Sequence, residues 1–405
     1  MKFVESGHPA FGRVTEEKWK ILCQLPTPCY VLDEEALRAN GEVLLQVQEE
    51  SECKILLAQK AFSNFDVYPL LFAYLAGTEA SGLYEARLGK TYMPDGECHV
   101  FCGAYREGEF EELLKYADHI VFNSPAQLRR FGKRAKEAGK SVGIRINPEC
   151  STQEGHEIYD PCAPGGRLGT TRAAWEEQMN PELVGLLDGL HFHTLCEQNA
   201  DALEITLQAV EDKFGDALKN VKWLNMGGGH HITRGDYDRE LLVRCIRRIR
   251  EKYDIEVYLE PGEAVALNAG YLVSEVLDVT RNGAVTNVIL DMSAACHTPD
   301  VIEMPYRPPV MHGMEAGEKA YTYRFGGPTC LSGDVVGDYC FAEPLKEGDK
   351  VLFGDMAIYT TCKNNTFNGM KLPDIYLLKK DGSAECLARF GYEDFACRLG
   401  GRKPL

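Results

Sequence analysis

Eight strand-like segments, separated by helix-like stretches, constrain the fold of this chain more than any other feature of its sequence. The predicted strands are Lys54–Ala58, Glu79–Ser81, His99–Gly103, His119–Asn123, Val142–Asn147, Gly189–Thr194, Lys222–Met226 and Glu256–Glu260. Helices are predicted between them, for example at Ser124–Ala138, where Ser124 and Pro125 suit an N-cap and a first turn, and at Asp238–Tyr253. Repeated strand and helix units over this length predict an α/β fold with a (β/α)8 barrel of the TIM type.

The pattern changes after Gly262 to short alternating apolar runs. Strands are predicted at Tyr271–Thr280, Thr286–Asp291 and Lys350–Phe353, with Asn282-Gly283 as a hairpin turn. This pattern predicts a second, C-terminal β-rich domain. We expect residues 27–265 to form the barrel, and residues 1–26 and 266–405 to form the β-rich domain, because an arm ahead of the first barrel strand has to pack on something.

The charge and composition of the chain limit the kinds of molecule that it could bind and the compartment in which we expect it. The net charge of -17 argues against binding to a nucleic acid backbone and favours a cationic small molecule. We expect a cytoplasmic protein, because the sequence offers neither a signal-peptide core nor an apolar run long enough to span a bilayer. The 15 cysteines are scattered, and Cys98-His99 with Cys102 lacks a second ligand pair, so we predict no disulfides and no metal site.

Lys60 is the strongest candidate for chemistry. It follows the apolar strand Lys54–Ala58, so its amine would emerge at the strand end, where barrel enzymes place their active sites. A lysine in this position is either a solvated strand terminus or a nucleophile. A nucleophilic lysine has to be unprotonated and rigidly held, and the mouth of a barrel supplies both partial desolvation and placement.

Further polar residues and glycines close three other predicted strands. Gly227 to Gly229 either make a tight turn or hold a phosphate with their backbone amides. His191 and His193 lie on one face of a strand, so periodicity does not decide which of the two rings could stack on the pyridine ring of an aldehyde cofactor. Glu260 could meet the pyridine nitrogen and keep it protonated, which makes the ring an electron sink. With Lys60, these residues predict a site for pyridoxal 5'-phosphate.

Longer stretches carry a family resemblance that extends from about Thr27 to Arg398. These stretches are Leu57–Phe62, His191–Glu197, Asn225–His231, Leu259–Glu263, Cys296–Pro308 and Gly327–Asp334. In them the chain resembles the carboxynorspermidine (carboxyspermidine) decarboxylases, which lie within the alanine-racemase-fold group of pyridoxal-phosphate enzymes, together with ornithine and diaminopimelate decarboxylases. The resemblance implies decarboxylation of a carboxylated polyamine, as in spermidine biosynthesis, by a homodimer with shared active sites.

The resemblance also implies roles for individual residues. Lys60 would bind the cofactor aldehyde, Glu260 would meet the pyridine nitrogen, and Cys330 would return a proton to the carbon that loses the carboxyl group, in the other subunit's site. The cofactor would be surrounded by His193 as the stacking ring, Arg145 at the pocket floor, and Gly227, Gly228, Gly229 and Tyr359 around the phosphate.

Glu263 departs from the pattern of ornithine decarboxylases, which have an arginine after Glu-Pro-Gly. This change removes a phosphate-binding cation and fits the carboxynorspermidine branch. The residues predicted to bind a substrate with several ammonium groups are Glu263, His297, Asp300, Glu303 and Asp334.

Three alternatives remain at this point. Diaminopimelate decarboxylase is the nearest, although the second carboxylate of its substrate needs basic recognition and this chain offers acidic residues. An amino-acid racemase would favour an arginine in place of Glu260, and a catalytically silent homologue would only bind a partner. The sequence does not decide between carboxynorspermidine and carboxyspermidine, because one methylene is worth only about 1–3 kcal/mol in a pocket.

Overall fold

A computed structural model of the chain describes residues 3–153 and 159–401. The chain divides into two compact units. One unit consists of Met1–Arg38 with Ala266–Leu405, and the other consists of Ala39–Val265. Each unit is built around its own arrangement of strands.

Strands and helices of the described residues are numbered in chain order. The strands are β1 (Cys29–Asp33), β2 (Lys54–Ala58), β3 (Gly77–Ala80), β4 (Glu97–Phe101), β5 (His119–Phe122), β6 (Ser141–Arg145), β7 (Gly189–His191), β8 (Trp223–Asn225), β9 (Glu256–Leu259), β10 (Gly270–Asn282), β11 (Val285–Leu290), β12 (Tyr321–Gly326), β13 (Val335–Phe341), β14 (Lys350–Gly354), β15 (Asp374–Leu378) and β16 (Ala384–Ala388). The α-helices are α1 (Glu16–Gln24), α2 (Glu34–Ser51), α3 (Tyr68–Leu71), α4 (Leu83–Tyr92), α5 (Glu107–Leu113), α6 (Pro125–Glu137), α7 (Arg172–Gln178), α8 (Pro181–Val184), α9 (Ala200–Leu218), α10 (Arg239–Tyr253), α11 (Glu263–Ala266), α12 (Ala294–His297), α13 (Asp300–Glu303) and α14 (Tyr392–Leu399).

Strands β2 to β9 form a closed parallel barrel, in which β2 pairs with both β3 and β9. Each of the eight predicted strands overlaps one of these barrel strands, and the (β/α)8 prediction is confirmed. Buried side chains from four different strands, Leu56, Val121, Trp223 and Tyr258, pack together inside the unit. Because all eight strands run in the same direction, their carboxyl ends meet at one rim, which is where barrel enzymes carry their chemistry.

The other unit contains a mostly antiparallel sheet with the strand order β13-β12-β11-β10-β1-β15-β16, and β14 also pairs with β10. The prediction of a β-rich second domain is confirmed. Both faces of the sheet are covered, since Tyr30 of β1 packs in one apolar cluster and its neighbours Cys29 and Val31 pack in another. This two-sided burial explains why the first four residues of β1, Cys29 to Leu32, are all apolar.

The division between the units falls later in the chain than residue 27. Strand β1 pairs antiparallel with β10 and parallel with β15, so it belongs to the sheet and not to the barrel. The N-terminal segment packs in the same unit, with Phe11, Trp19 and Leu22 buried in its core. The reason for the later division is that β1 takes its partners from distant strands, which a local apolar pattern does not reveal.

Two barrel helices begin where their capping residues require. Ser124 accepts a hydrogen bond from the N–H of Gln127 at the start of α6, and Asp238 accepts one from the N–H of Leu241 at the start of α10. Both caps match the predicted helix starts. In the part of the chain that the structure describes, no helix combines the length and the apolar character needed to cross a membrane.

Candidate active site

Lys60 lies just beyond the end of β2, on a backbone that is fixed from both sides. Ala58 donates its N–H to the carbonyl of Pro261, and Gln59 donates its N–H to the carbonyl of Glu79. Gln59 is buried, whereas the side chain of Lys60 is exposed. The barrel therefore presents an amine from a rigid position at its carboxyl-terminal rim.

Glu260 follows β9 and is almost completely buried, with 5% of its surface exposed. Asn225 donates its side-chain N–H to Oε1 of Glu260 at 2.5 Å, and Nε2 of His191 lies 3.1 Å from Oε2. Burial pushes the pKa of Glu260 upward, but the interactions with His191, His99 and Asn225 together outweigh burial, so the pKa lies below its ordinary value. The site therefore holds an ionised carboxylate in a fixed orientation.

Glu79, at the end of β3, has the opposite electrostatic behaviour. It is also buried, and burial, followed by the charge of Glu260, raises its pKa well above the ordinary value. Two buried carboxyl groups with opposite shifts indicate that one is ionised and the other protonated. The structure thus assigns the negative charge to Glu260.

His193 occupies a different environment from His191. Its Nδ1 accepts a hydrogen bond from the N–H of Gly228 at 2.8 Å, and its carbonyl accepts one from Nη2 of Arg145 at 3.1 Å. Burial, followed by the charge of Lys60, lowers the pKa of His193 well below its ordinary value. His193 is therefore a neutral ring, and burial also lowers the pKa of the nearby Arg145, to about 10.

The glycine triplet is required by the geometry of its own turn. Gly227 and Gly229 have φ angles of +70° and +82°, which side chains rarely adopt. A Cβ atom on Gly229 would lie 2.0 Å from the carbonyl oxygen of Leu195, and one on Gly228 would lie 2.3 Å from that of Glu260. The glycines bring the backbone close to both neighbouring loops, which leaves their phosphate-binding role a prediction.

Glu263 is paired with a residue that sequence reasoning did not single out. Its Oε2 lies 3.1 Å from Nε2 of His231, and Nη1 of Arg234 lies 3.4 Å from Nδ1 of the same ring. The carboxylate therefore already has a hydrogen-bond partner within the barrel unit. A substrate ammonium group would have to compete with this internal partner.

Asp300 and Glu303, in the β-rich unit, share one cation. Both carboxylates bond to the ammonium group of Lys363, which lies 2.5 Å from Glu303 and also contacts Asp300. The side chain of Glu303 is 57% exposed, and that of Asp300 is 22% exposed. The pair keeps the acidic character that the sequence predicted, with a partly exposed lysine that an incoming cation could displace.

Asp334 and His297 have contacts that favour a structural role over substrate binding. Asp334 is buried and accepts hydrogen bonds from the hydroxyls of Ser293 and Thr329 and from the N–H of Ala295. His297 is also buried, and its ring nitrogens lie 3.1 Å from the N–H of Ser293 and 3.0 Å from the carbonyl oxygen of Lys371. These polar atoms are already used, so we reassign both residues to support of the loops around Ser293 and Thr329.

Cys330 lies in the loop that this network holds. Its thiol is exposed, and its backbone N–H donates to Oδ1 of Asn368 at 2.9 Å. Thr329, the preceding residue, is bonded to Asp334 at 2.6 Å. Tyr359 is half-buried in the same unit and has a positive φ of 53°. The structure describes Cys330 and Tyr359 within the β-rich unit, and their proposed roles remain predictions.

Sequence reasoning missed Asn225, Glu79 and Lys363. Asn225 is the last residue of β8, two positions before the glycine triplet, and Glu79 is the penultimate residue of the fully buried strand β3, so both could have been found as polar residues at the carboxyl ends of barrel strands. Lys363 offered no such signal. It meets Asp300 through the fold and not through any local spacing.

A second polar cluster lies inside the barrel, near the amino ends of the strands. Glu97, His99 and His119 come close together, and the rings of His99 and His119 stack at 3.9 Å with an angle of 12° between them. Nε2 of His99 and Nε2 of His119 lie 3.1 and 3.7 Å from the same oxygen, Oε2 of Glu97. Lys54 also lies 2.5 Å from Glu97. The contacts are those of a hydrogen-bonded ion-pair network.

We expect the protein to lose stability as the pH falls from about 6.5 to about 4. Burial lowers the pKa of His119 to about 3 and those of His230 and His297 to about 4, from 6.5. The unfolded chain therefore binds more protons than the folded chain in this range. The free energy of unfolding consequently decreases as the pH is lowered, by about 1.4 kcal/mol for each unit of pKa difference. Urea midpoints measured at pH 7, 5.5 and 4.5 should decrease, and His119→Gln should reduce the dependence. A constant midpoint would contradict the expectation.

Comparison with known proteins agrees with this geometry. A family model described as pyridoxal-dependent decarboxylase, C-terminal sheet domain, matches residues 29–357. The carboxynorspermidine/carboxyspermidine decarboxylase of Campylobacter jejuni is 41% identical over 386 residues, covering 93% of this chain and 99% of the relative. The carboxyaminopropylagmatine decarboxylase of Synechocystis is 39% identical over 380 residues, covering 94% and 97%.

A solved structure shows the same similarity. The crystal structure of carboxynorspermidine decarboxylase from Campylobacter jejuni, complexed with norspermidine, has a TM-score of 0.85 and 39% identity, and the match covers 92% of this chain and all of that one. Diaminopimelate decarboxylases are more distant, with 25% identity for that of Vibrio cholerae.

The chain belongs to the family of pyridoxal-dependent decarboxylases. This assignment confirms the resemblance drawn from the motifs. The protein is a carboxy-lyase whose cofactor is pyridoxal 5'-phosphate. The readings as an amino-acid racemase or a catalytically silent homologue are thereby set aside.

The residues at the carboxyl-terminal rim of the barrel fit this cofactor chemically. An aldehyde on a pyridine ring needs an amine, a carboxylate for the ring nitrogen and a flat neutral partner for the ring face. Lys60 offers the amine, Glu260 is a buried ionised carboxylate, and His193 is a neutral imidazole. The donor set therefore suits the cofactor.

Proposed function

We propose that the protein decarboxylates carboxynorspermidine, carboxyspermidine or both, and so contributes norspermidine or spermidine to polyamine biosynthesis. The observation that carries this proposal is the nearly full-length similarity to the Campylobacter jejuni enzyme that bears both substrates in its name. The net charge of -17 supports it, because an acidic protein attracts a polycationic substrate.

A second candidate substrate is carboxyaminopropylagmatine, because the relative from Synechocystis matches almost as closely. The deciding experiment compares kcat/KM for the three carboxylated compounds, with meso-diaminopimelate and ornithine as controls. A preference for either carboxylated polyamine of at least about tenfold over every other compound supports the proposal. A preference for carboxyaminopropylagmatine or diaminopimelate would overturn it.

The barrel residues divide the work of the reaction. When bound, the cofactor accepts in its protonated ring the electron pair that the departing carbon dioxide leaves behind. Lys60 would hold the cofactor through its amine. Glu260 would keep a proton on the ring nitrogen, and His193 would lie against the ring. Arg145 secures the loop of His193 through the carbonyl bond at 3.1 Å.

The β-rich unit supplies the proton that completes the product. Cys330 of the partner subunit delivers it to the carbon that has lost its carboxyl group, which makes the enzyme a homodimer with two shared sites. The exposure of the thiol and the hydrogen-bonded loop that carries it support this role. We propose that Gly227 to Gly229 and Tyr359 contact the cofactor's phosphate. We also propose that the enzyme is cytoplasmic, where its 15 cysteines need not form disulfides.

The substrate's ammonium groups would meet Asp300 and Glu303, displacing Lys363. We expect Asp300→Asn to raise KM for carboxynorspermidine about tenfold with a smaller change in kcat, because a hydrogen bond to a charged group is worth about 1.5–3 kcal/mol. Lys363→Met removes the competing cation and should not raise KM. Steady-state kinetics of both variants check this expectation, and an unchanged KM in Asp300→Asn would remove these carboxylates from the substrate site.

A further inference from the structure

His191 and His193 lie two residues apart, and periodicity gives no reason to distinguish them. Their partners do. Nδ1 of His193 is bonded to the backbone of Gly228, whereas Nε2 of His191 faces the side chain of Glu260. The two rings therefore serve different groups, and the one that remains unassigned is His191.

The carboxylate of Glu260 has one donor for each oxygen. Asn225, at the end of β8, contacts Oε1 at 2.5 Å, and His191, at the end of β7, contacts Oε2 at 3.1 Å. The three residues are between 0% and 5% exposed. A buried carboxylate without donors is costly, so both contacts are needed to keep the group charged in place. Asn225 is itself fixed, because its Oδ1 accepts the N–H of Gly227 at 2.9 Å.

The tautomer of His191 follows from its surroundings. Nδ1 is buried and has no hydrogen-bond partner in the structure of the described residues, so a proton there would be an N–H without an acceptor. Burial also lowers the pKa of His191. The ring is therefore neutral, with its proton on Nε2, where it donates to Glu260.

Neighbouring groups hold the plane of the His191 ring and set its charge environment. Phe101 stacks on it, with ring centres 5.4 Å apart and planes 15° from parallel, and the guanidinium of Arg145 lies 4.6 Å from the centre of the Phe101 ring. Other titratable groups that interact electrostatically with this pair include His99, His193 and Glu79. Glu79 is the protonated member of the carboxyl pair, so it does not compete with Glu260 for the proton of His191.

We propose that His191 is a positioning residue that holds the Glu260 carboxylate, by donating its Nε2–H to Oε2, in the orientation required at the cofactor's ring nitrogen. This inference rests on the proposed role of Glu260. It separates the two histidines: His193 acts on the ring face, and His191 acts only through Glu260.

Two substitutions test the hydrogen bond. His191→Phe keeps a flat ring for the Phe101 stack but removes the donor, whereas His191→Gln keeps an N–H donor. We expect His191→Phe to lower kcat about tenfold to a hundredfold, as loss of a supporting contact commonly does, and His191→Gln to retain more activity. His119→Phe is the matched control, since it replaces another stacked barrel histidine that lies outside the site.

The absorption of the bound cofactor as a function of pH distinguishes a positioning role from a merely structural one. A merely structural role of His191 would leave this pH dependence unchanged. Without its donor, Glu260 takes up a proton more readily, so in His191→Phe the spectral transition should move to higher pH by about one unit or more. His191→Gln should move it less, and His119→Phe should leave it unchanged. If His191→Phe shows the wild-type spectral titration and a kcat within about twofold of wild type, the inference is overturned.

Glu260→Gln, measured in parallel, separates this inference from the proposed function. A normal kcat and spectrum in Glu260→Gln would remove the role of Glu260 itself, and with it the inference. An impaired Glu260→Gln beside a normal His191→Phe would overturn the role of His191 alone. Should His191→Phe fail to fold, ¹⁵N NMR of imidazole-labelled wild-type protein, assigned with His191→Gln, decides: a neutral ring protonated on Nε2 supports the inference, and any other form overturns it.

Discussion

Lys60→Ala should abolish turnover, by about a thousandfold or more, together with the yellow absorption band of the bound cofactor, while the protein stays folded. The reason is that Lys60 is the only residue to which we assign covalent attachment of the cofactor, and its side chain is exposed and makes little packing contribution. Turnover assays and absorption spectra of cofactor-loaded protein measure both effects. Circular dichroism checks the fold.

Chemical trapping provides an independent test of the same assignment. Borohydride reduction of the wild-type enzyme, followed by peptide mapping, should place the cofactor on Lys60. Lys222→Ala is the matched control, because Lys222 is a largely exposed barrel lysine at the opposite end of its strand. It should retain the band and the activity. A label on a different lysine would remove the basis of the site.

Mixing two inactive variants should restore activity if the sites are shared between subunits. Lys60→Ala and Cys330→Ala should each be nearly inactive alone. When subunits exchange randomly, half of the dimers are mixed and each of these carries one intact site, so roughly a quarter of the wild-type activity should return.

The control for this experiment is another exposed thiol of the same unit. Cys397→Ala changes an exposed cysteine on the last helix, α14, and should be fully active without mixing. Exchange has to be verified by mass spectrometry of tagged chains. If exchange is complete and activity stays at the level of the single variants, the shared-site model is wrong.

Local sequence signals were sufficient for most of the fold. The apolar run Lys54–Ala58 predicted the bounds of β2 without error, and Asn282-Gly283 predicted the turn after β10, where Gly283 has a φ of +59°. These features depend on neighbouring residues, whose propensities the sequence displays directly. Strand β1 was placed in the wrong unit because its sheet partners, β10 and β15, are remote in the chain.

Local sequence signals also pointed to part of the candidate site. Lys60 and Glu260 could be found because each follows an apolar strand, and strand ends of a barrel meet at one rim. The hydrogen-bond partners of those residues could not be found from local sequence signals. Two histidines with the same strand periodicity differ only in what stands opposite them, and the bond of His191 to Glu260 joins positions on non-adjacent strands. Such pairings are properties of the closed barrel.

The position of β1 has a consequence for the order in which the chain matures during synthesis. The barrel unit is continuous, so it can fold as soon as β9 has left the ribosome. Strand β1 is made before the barrel, yet its neighbours β10 and β15 are made after it. The nascent chain therefore carries a buried-type apolar strand unpaired throughout barrel synthesis. Completion of the sheet around Cys29–Asp33 therefore has to wait for the synthesis of β10.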